Sequence, residues 1–158
     1  MDSLVYELSE KVDDTHKAVT TISLKFISEF ARCLGSSFKA YSASYLPILF
    51  KYIPSKTSQV RAVALESIES IYDHVGSVVV LNAMLNATNE ESPEGRMEIM
   101  KFILDRVEDL PGCDFKQAAK NLVTSLSHQK KEIRKDSTEL ISYIIPHSGD
   151  KIFRAACD

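Results

Sequence analysis

The stretch Ser58-Gln-Val60-Arg61-Ala-Val-Ala64-Leu-Glu66-Ser-Ile68-Glu-Ser-Ile71-Tyr72-Asp-His74-Val75-Gly76 decides the fold. Its apolar residues Val60, Ala64, Ile68, Ile71, Tyr72 and Val75 recur at spacings that keep them on one side of a helix. Gly76 marks the helix end. The pattern then reappears elsewhere in the chain. Moved back by 41 residues, Val60 meets Val19, Leu65 meets Leu24, Ile68 meets Ile27 and Gly76 meets Gly35. Moved forward by 73, Val60-Arg61 meets Ile133-Arg134, Glu66 meets Glu139, Ile68 meets Ile141, His74 meets His147 and Gly76 meets Gly149.

Two further helices are therefore predicted. One, between Asp14 and Gly35, carries Val19, Ile22, Phe26, Ile27, Phe30 and Leu34 on one side. The other, between Lys131 and Gly149, carries Ile133, Ile141, Ile144 and Ile145. A fourth copy runs from Ser92 to Val107 with Ile99, Phe102, Ile103 and Val107. Its start is signalled by Ser92-Pro93-Glu94: an N-cap serine, a first-turn proline, and a carboxylate at the positive helix end.

Each long helix is preceded by a shorter apolar one, near Ser3–Val12, Ser42–Ile53, Ser77–Ala87 and Phe115–Ser127. Short turns join the members of each pair: Asp13–His16, Pro54–Ser58, Thr88–Glu91 and His128–Lys131. A helix-pair unit recurring every 37 to 41 residues cannot bury both its faces alone, so neighbours must stack. The expected fold is all-α, an α-solenoid of about four HEAT-like helical hairpins. They span about 3–35, 42–76, 77–108 and 114–149 of a single domain, 1–158. A plain four-helix bundle would not produce the recurring register.

Composition narrows the function. At 158 residues, with 44% hydrophobic and 26% charged content, the chain is expected to fold around a real core. A net charge of −3 argues against a general nucleic-acid binder. Cys33, Cys113 and Cys157 are odd in number and far apart. They define neither a disulfide framework nor a zinc spacing, and they fit a reducing compartment. No signal peptide opens the sequence, and no run approaches the length of a bilayer span.

The repeats carry a proline in the first helix (Pro47) and a Val/Ile-Arg step opening the second (Val60-Arg61, Ile133-Arg134). This resembles HEAT repeats. The arginine is expected to reach a carbonyl or carboxylate across the repeat, and Pro47 to bend its helix. Tetratricopeptide and ankyrin signatures are absent; the chain has no tryptophan. The run from Leu34 through Phe38, Tyr41 and Tyr45-Leu-Pro47-Ile-Leu49 resembles the junction between the second and third repeats of TOG domains. Ser92-Pro93 through Phe102-Ile103 is similar to the fourth repeat, and Lys131 through Ser137 to Gly149-Asp-Lys151-Ile152 is similar to the fifth. The likeness covers about residues 4–152, and Lys151–Asp158 looks like the start of a sixth repeat.

The resemblance implies a non-catalytic module that grips αβ-tubulin with its intra-repeat turns and regulates microtubule dynamics in the cytoplasm. The residues it singles out are His16 and Lys17 in the first turn, Lys56, Thr57 and Arg61 at the second, and Lys130, Lys131 and Arg134 at the last. Tubulin is acidic, so cations there would assist docking. The chain departs from the family in lacking a tryptophan-bearing first repeat and in its acidic third turn, Asn89-Glu90-Glu91. The residues alone also fit a general HEAT scaffold or adaptor that binds another protein, or a structural subunit of a larger complex.

Catalytic signatures are missing. The sequence has no Gly-x-Ser-x-Gly, no glycine-rich phosphate loop, and no metal spacing among His16, His74, His128 and His147. The adjacent carboxylates Asp13/Asp14 and Glu90/Glu91 do not have the spacing of an acid/base pair. His74 and His147 share a place near the end of their helices, where an imidazole suits the negative terminus. Cys33 is expected in the core. No cofactor, metal, nucleic acid or membrane is expected as a partner.

Overall fold

A computed structural model describes residues 2–12, 14–89 and 92–157. Among them the regular elements are helical: α1 (Asp2–Val12), α2 (Lys17–Leu34), α3 (Ser42–Phe50), α4 (Ser58–Val75), α5 (Ser77–Ala87), α6 (Pro93–Leu104), α7 (Lys116–Ser125), α8 (Lys131–Ser148) and α9 (Lys151–Cys157). Short and long helices alternate as the repeat predicts, giving an all-α fold of HEAT-like hairpins of the α-solenoid kind. The chain forms two compact units, Met1–Val80 and Leu81–Asp158, that divide inside α5.

In the first unit α2 and α4 lie along each other. Leu24, Ile27 and Ala31 of α2 and Val60, Ala64, Ile68 and Ile71 of α4 are buried. Each large aliphatic side chain so buried stabilises the unit by roughly 1.5–3 kcal/mol. The Ser67 hydroxyl donates to the Leu24 carbonyl at 3.2 Å. Behind them, the segment that carried the junction resemblance builds an aromatic cluster. Phe30 lies 5.6 Å from Tyr45, 6.3 Å from Phe38 and 6.3 Å from Tyr41, ring centroid to ring centroid.

In the second unit Ile99, Met100 and Ile103 of α6 and Ile133, Leu140 and Ile144 of α8 are buried. Ser137 donates to the Ile133 carbonyl at 2.7 Å and lies 3.7 Å from the Met100 sulfur. Buried Asn121 of α7 donates to the Asn86 carbonyl of α5 at 3.1 Å and accepts from the Gln117 amide.

Several expectations are corrected. The α3 helix stops at Phe50, short of Ile53, because the backbone tightens into three-residue bonds (Tyr52 to Leu49, Ile53 to Phe50) before Pro54. Helix α7 likewise stops at Ser125, and α6 ends at Leu104, before Val107. Cys33 is exposed, not core. Ile145 is exposed, and Leu140, absent from the predicted stripe, is fully buried in its place. Ile22 and Phe26 do not join Ile27 in the core; they are 68% and 43% exposed. With Leu4 and Tyr6 of α1 they line an open apolar groove on that flank of the first hairpin. Counted from the helix start they match Val63 and Ser67 of α4, both buried. Thus α4 buries both flanks of its stripe, and α2 buries one.

The turns inside the hairpins are held by one recurrent device. The N-caps of the long helices are His16, Thr57, Ser92 and Lys130. Four residues after each stand Thr20, Arg61, Arg96 and Arg134, and every one of these side chains donates back to a carbonyl of the chain leading into its helix. Thr20 reaches Val12 O at 3.0 Å and Asp14 O at 3.3 Å. Arg61 reaches Ser55 O at 3.2 Å, and Arg96 reaches Asn89 O at 3.1 Å. Arg134 reaches His128 O at 2.7 Å and Gln129 O at 2.9 Å. The HEAT-type arginines thus reach carbonyls as expected, but those of the turn directly before their own helix. At the opposite end, His74 Nδ1 donates to Ser70 O and His147 Nδ1 to Tyr143 O, both at 2.8 Å. Gly35, Gly76 and Gly149 leave these helices at positive φ, where other residues are strained.

Removing a clamp should loosen its turn. Arg134→Ala is expected to cost about 1–2 kcal/mol in urea unfolding, with Arg134→Lys recovering only part because one ammonium lacks the guanidinium fork. Thr20→Val, which keeps the shape and deletes the donor, should cost a similar ~1 kcal/mol. The thiols should also separate chemically. Cys113 has its pKa pushed up to about 11, first by burial and then by the negative charge of Asp109. With an aromatic disulfide reagent at pH 8, mass spectrometry should find Cys33 modified well before Cys113.

Candidate protein-binding site

Within the first unit the two turns are fastened to each other. The Tyr52 hydroxyl, at the end of the α3 segment, donates at 2.9 Å to the Val12 carbonyl, which also accepts from Thr20. This bond and the Ser67–Leu24 bond set α2 and α4 nearly level, so their N-termini open on the same edge. Four N-terminal amides at each helix start lack helical partners and give that edge a partial positive charge.

His16 caps α2 with its side chain 82% exposed. Its backbone N–H donates to Asp14 Oδ1 at 2.8 Å, and its ring Nδ1 lies 3.0 Å from the same oxygen. These contacts, the backbone one first, hold the Asp14 carboxyl below the usual carboxylate range. Lys17 and Lys56 are exposed. Thr57 is half-buried as the α4 N-cap, and its N–H donates to Ser55 Oγ at 3.3 Å. Arg61, though exposed, is committed to Ser55 O.

The second unit repeats the arrangement at α6 and α8. Ser92 caps α6 as predicted, accepting from Gly95 N at 3.1 Å. Lys130, the α8 N-cap, forms an ion pair with Glu94 in the first turn of α6, which ties the starts of the two helices together. The Lys130 N–H donates to His128 Nδ1 at 3.1 Å. Lys131 is exposed, and Arg134 is half-buried against its turn. Of the acidic features read from the sequence, Asp13, Glu90 and Glu91 lie outside the described residues.

The eight predicted residues therefore divide. Arg61, Thr57 and Arg134 build the turns, His16 is held by Asp14, and Lys130 is engaged by Glu94. Lys17, Lys56 and Lys131 have no side-chain partner among the described residues and face solvent. Sequence reading missed Thr20 and Arg96 as counterparts of Arg61 and Arg134. The signal was present in their common offset from the N-cap, hidden because Arg96 follows a glycine and Thr20 is not a base. Chemically the surface offers ammonium groups, helix N-termini and short braced loops. Among the described residues no three His, Cys, Asp or Glu side chains are placed to share a metal ion. None of the described helices is long and apolar enough to cross a membrane.

No family model matches the chain, and no curated protein matches it. Solved structures do. One, of Crescerin, which uses a TOG domain array to regulate microtubules in the primary cilium, superposes with a TM-score of 0.71 at 15% identity, covering 98% of this chain and 66% of that one. The MAST/Orbit N-terminal domain gives 0.66 at 20% identity, covering 94% and 68%. A structure from work on microtubule plus-end tracking by XMAP215, CLIP-170 and EB1 gives 0.66 at 22% identity, covering 98% and 66%. The chain spans about two thirds of the length of these structures. Its helical hairpins thus have the TOG-like fold from end to end.

Proposed function

We propose that this chain is a non-catalytic protein-binding module that binds αβ-tubulin through its intra-hairpin turns and thereby regulates microtubule dynamics on the cytoplasmic cytoskeleton. One observation carries the reading: the long helices open on braced turns that carry uncommitted lysines, Lys17 and Lys56 in the first unit and Lys131 in the second. A surface of that kind suits an acidic, folded partner, because rigid loops lose little entropy on docking and cations speed encounter. The fold shared with TOG structures associated with microtubule regulation supports the choice of tubulin over another acidic protein.

The basic residues divide the labour. Lys17, Lys56 and Lys131 contact the partner, whereas Arg61 and Arg134 hold the turns in shape. Lys130 is weighted less than Lys131, since a new partner must compete with Glu94 for it.

Gel filtration of the purified chain with tubulin at low salt should give a co-eluting complex. A well-folded sample that elutes apart from tubulin would instead favour a general scaffold for a different partner. Where the complex forms, Lys56→Glu plus Lys131→Glu should weaken it by about tenfold or more and flatten its salt dependence. The circular-dichroism melt should stay unchanged. Arg134→Ala should weaken binding only together with a loss of stability.

A further inference from the structure

Helices α7 and α9 pack together in the second unit, with Phe153 of α9 buried. Between their ends the two helices carry Lys116, Lys120, Lys151 and Arg154 and no carboxylate, in a chain whose net charge is −3. Lys116 and Lys120 stand one helical turn apart on α7, and Lys151 opens α9. The three lysines rim a groove floored by Ile152, Ala155 and Ala156. All three are exposed and lack a side-chain partner among the described residues. The neighbouring acids are already engaged. Asp150 pairs with Arg154 at 2.7 Å, and Asp114 accepts the Lys116 backbone N–H at 3.0 Å.

Connectivity fixes where this groove lies. Helix α7 runs toward the fourth turn and α8 runs back from it, so Lys116 and Lys151 stand at the end of this unit away from the turns. The groove is a separate surface, and its partner need not be the one held by the turns.

We propose that the α7/α9 groove is a second docking site, built for an acidic peptide segment that places an apolar side chain on the Ile152/Ala155/Ala156 floor and carboxylates on the flanking lysines. Charge complementarity selects an anionic occupant. The floor selects a peptide: it offers small aliphatic contacts to a side chain, and no aromatic ring lines the groove to stack a nucleic-acid base. It also lacks the projecting bulky side chains with which a protein surface enters a bilayer. This inference is independent of tubulin binding.

The test uses the full chain and a fluorescein-labelled peptide of glutamate pairs separated by leucines, followed by fluorescence anisotropy at low salt. Binding is expected to fall with added salt. Lys116→Glu/Lys120→Glu/Lys151→Glu should bind about tenfold more weakly, from three exposed ion pairs lost together. The corresponding triple glutamine variant should lie between it and the native chain, and Ala155→Trp should weaken binding by filling the floor without changing charge. Lys131→Glu should have no effect. Undiminished peptide binding by the triple glutamate variant, with an unchanged melt, would overturn the site. So would no peptide binding by the native chain, or tighter binding of an oligothymidylate or a phosphatidylserine vesicle than of the peptide.

Discussion

A long helix with an apolar stripe wider than one neighbour can cover must find a second long helix. Within each unit of this chain it does so in the same way: α2 lies against α4, and α6 against α8. The short helices fill in behind, and Ser67 and Ser137, each bonded inside the contact, let two backbones approach where a larger residue would hold them apart. The placement of the turns follows from that pairing. Once two long helices are level, their N-termini are level, and the turns that lead into them stand next to each other.

Much of this was legible in the residues. The recurrence of Val60-Arg61 as Ile133-Arg134, and of Gly76 as Gly35 and Gly149, located the long helices and their ends, and Ser92 announced its own cap. What periodicity does not encode is which flank of a wide stripe finds a partner. Ile22 and Phe26 have the spacing of core residues and yet remain largely exposed, whereas Val63 and Ser67 at the matching places of α4 are buried. Nor does a charge in a turn announce its use. Arg61 and Lys56 look equally available on paper; the structure gives one to a carbonyl and leaves the other to solvent. The Glu94–Lys130 pair joins residues from two hairpins, and only the packing of α6 on α8 brings them together.

The cations of the second unit illustrate the same separation of duties. Those near the turn are partly absorbed by the fold, in the Arg134 clamp and the Lys130 pair. Of those on α7 and α9, Arg154 pairs with Asp150, while Lys116, Lys120 and Lys151 have no side-chain partner among the described residues, although the chain as a whole is acidic. A net charge, averaged over 158 residues, hides both facts.

The turn clamps have a consequence for how such a protein can change over time. Thr20, Arg61, Arg96 and Arg134 all take backbone oxygens as acceptors, and a backbone oxygen is supplied by any amino acid. Thr15, Lys56, Asn89 and Gln129 occupy the loops so held, and they range from a hydroxyl to an ammonium to carboxamides. The loop sequences are thereby released from the task of folding. Substitution there can alter the side chains that the edge presents, while the clamp behind it keeps the shape of the turn constant.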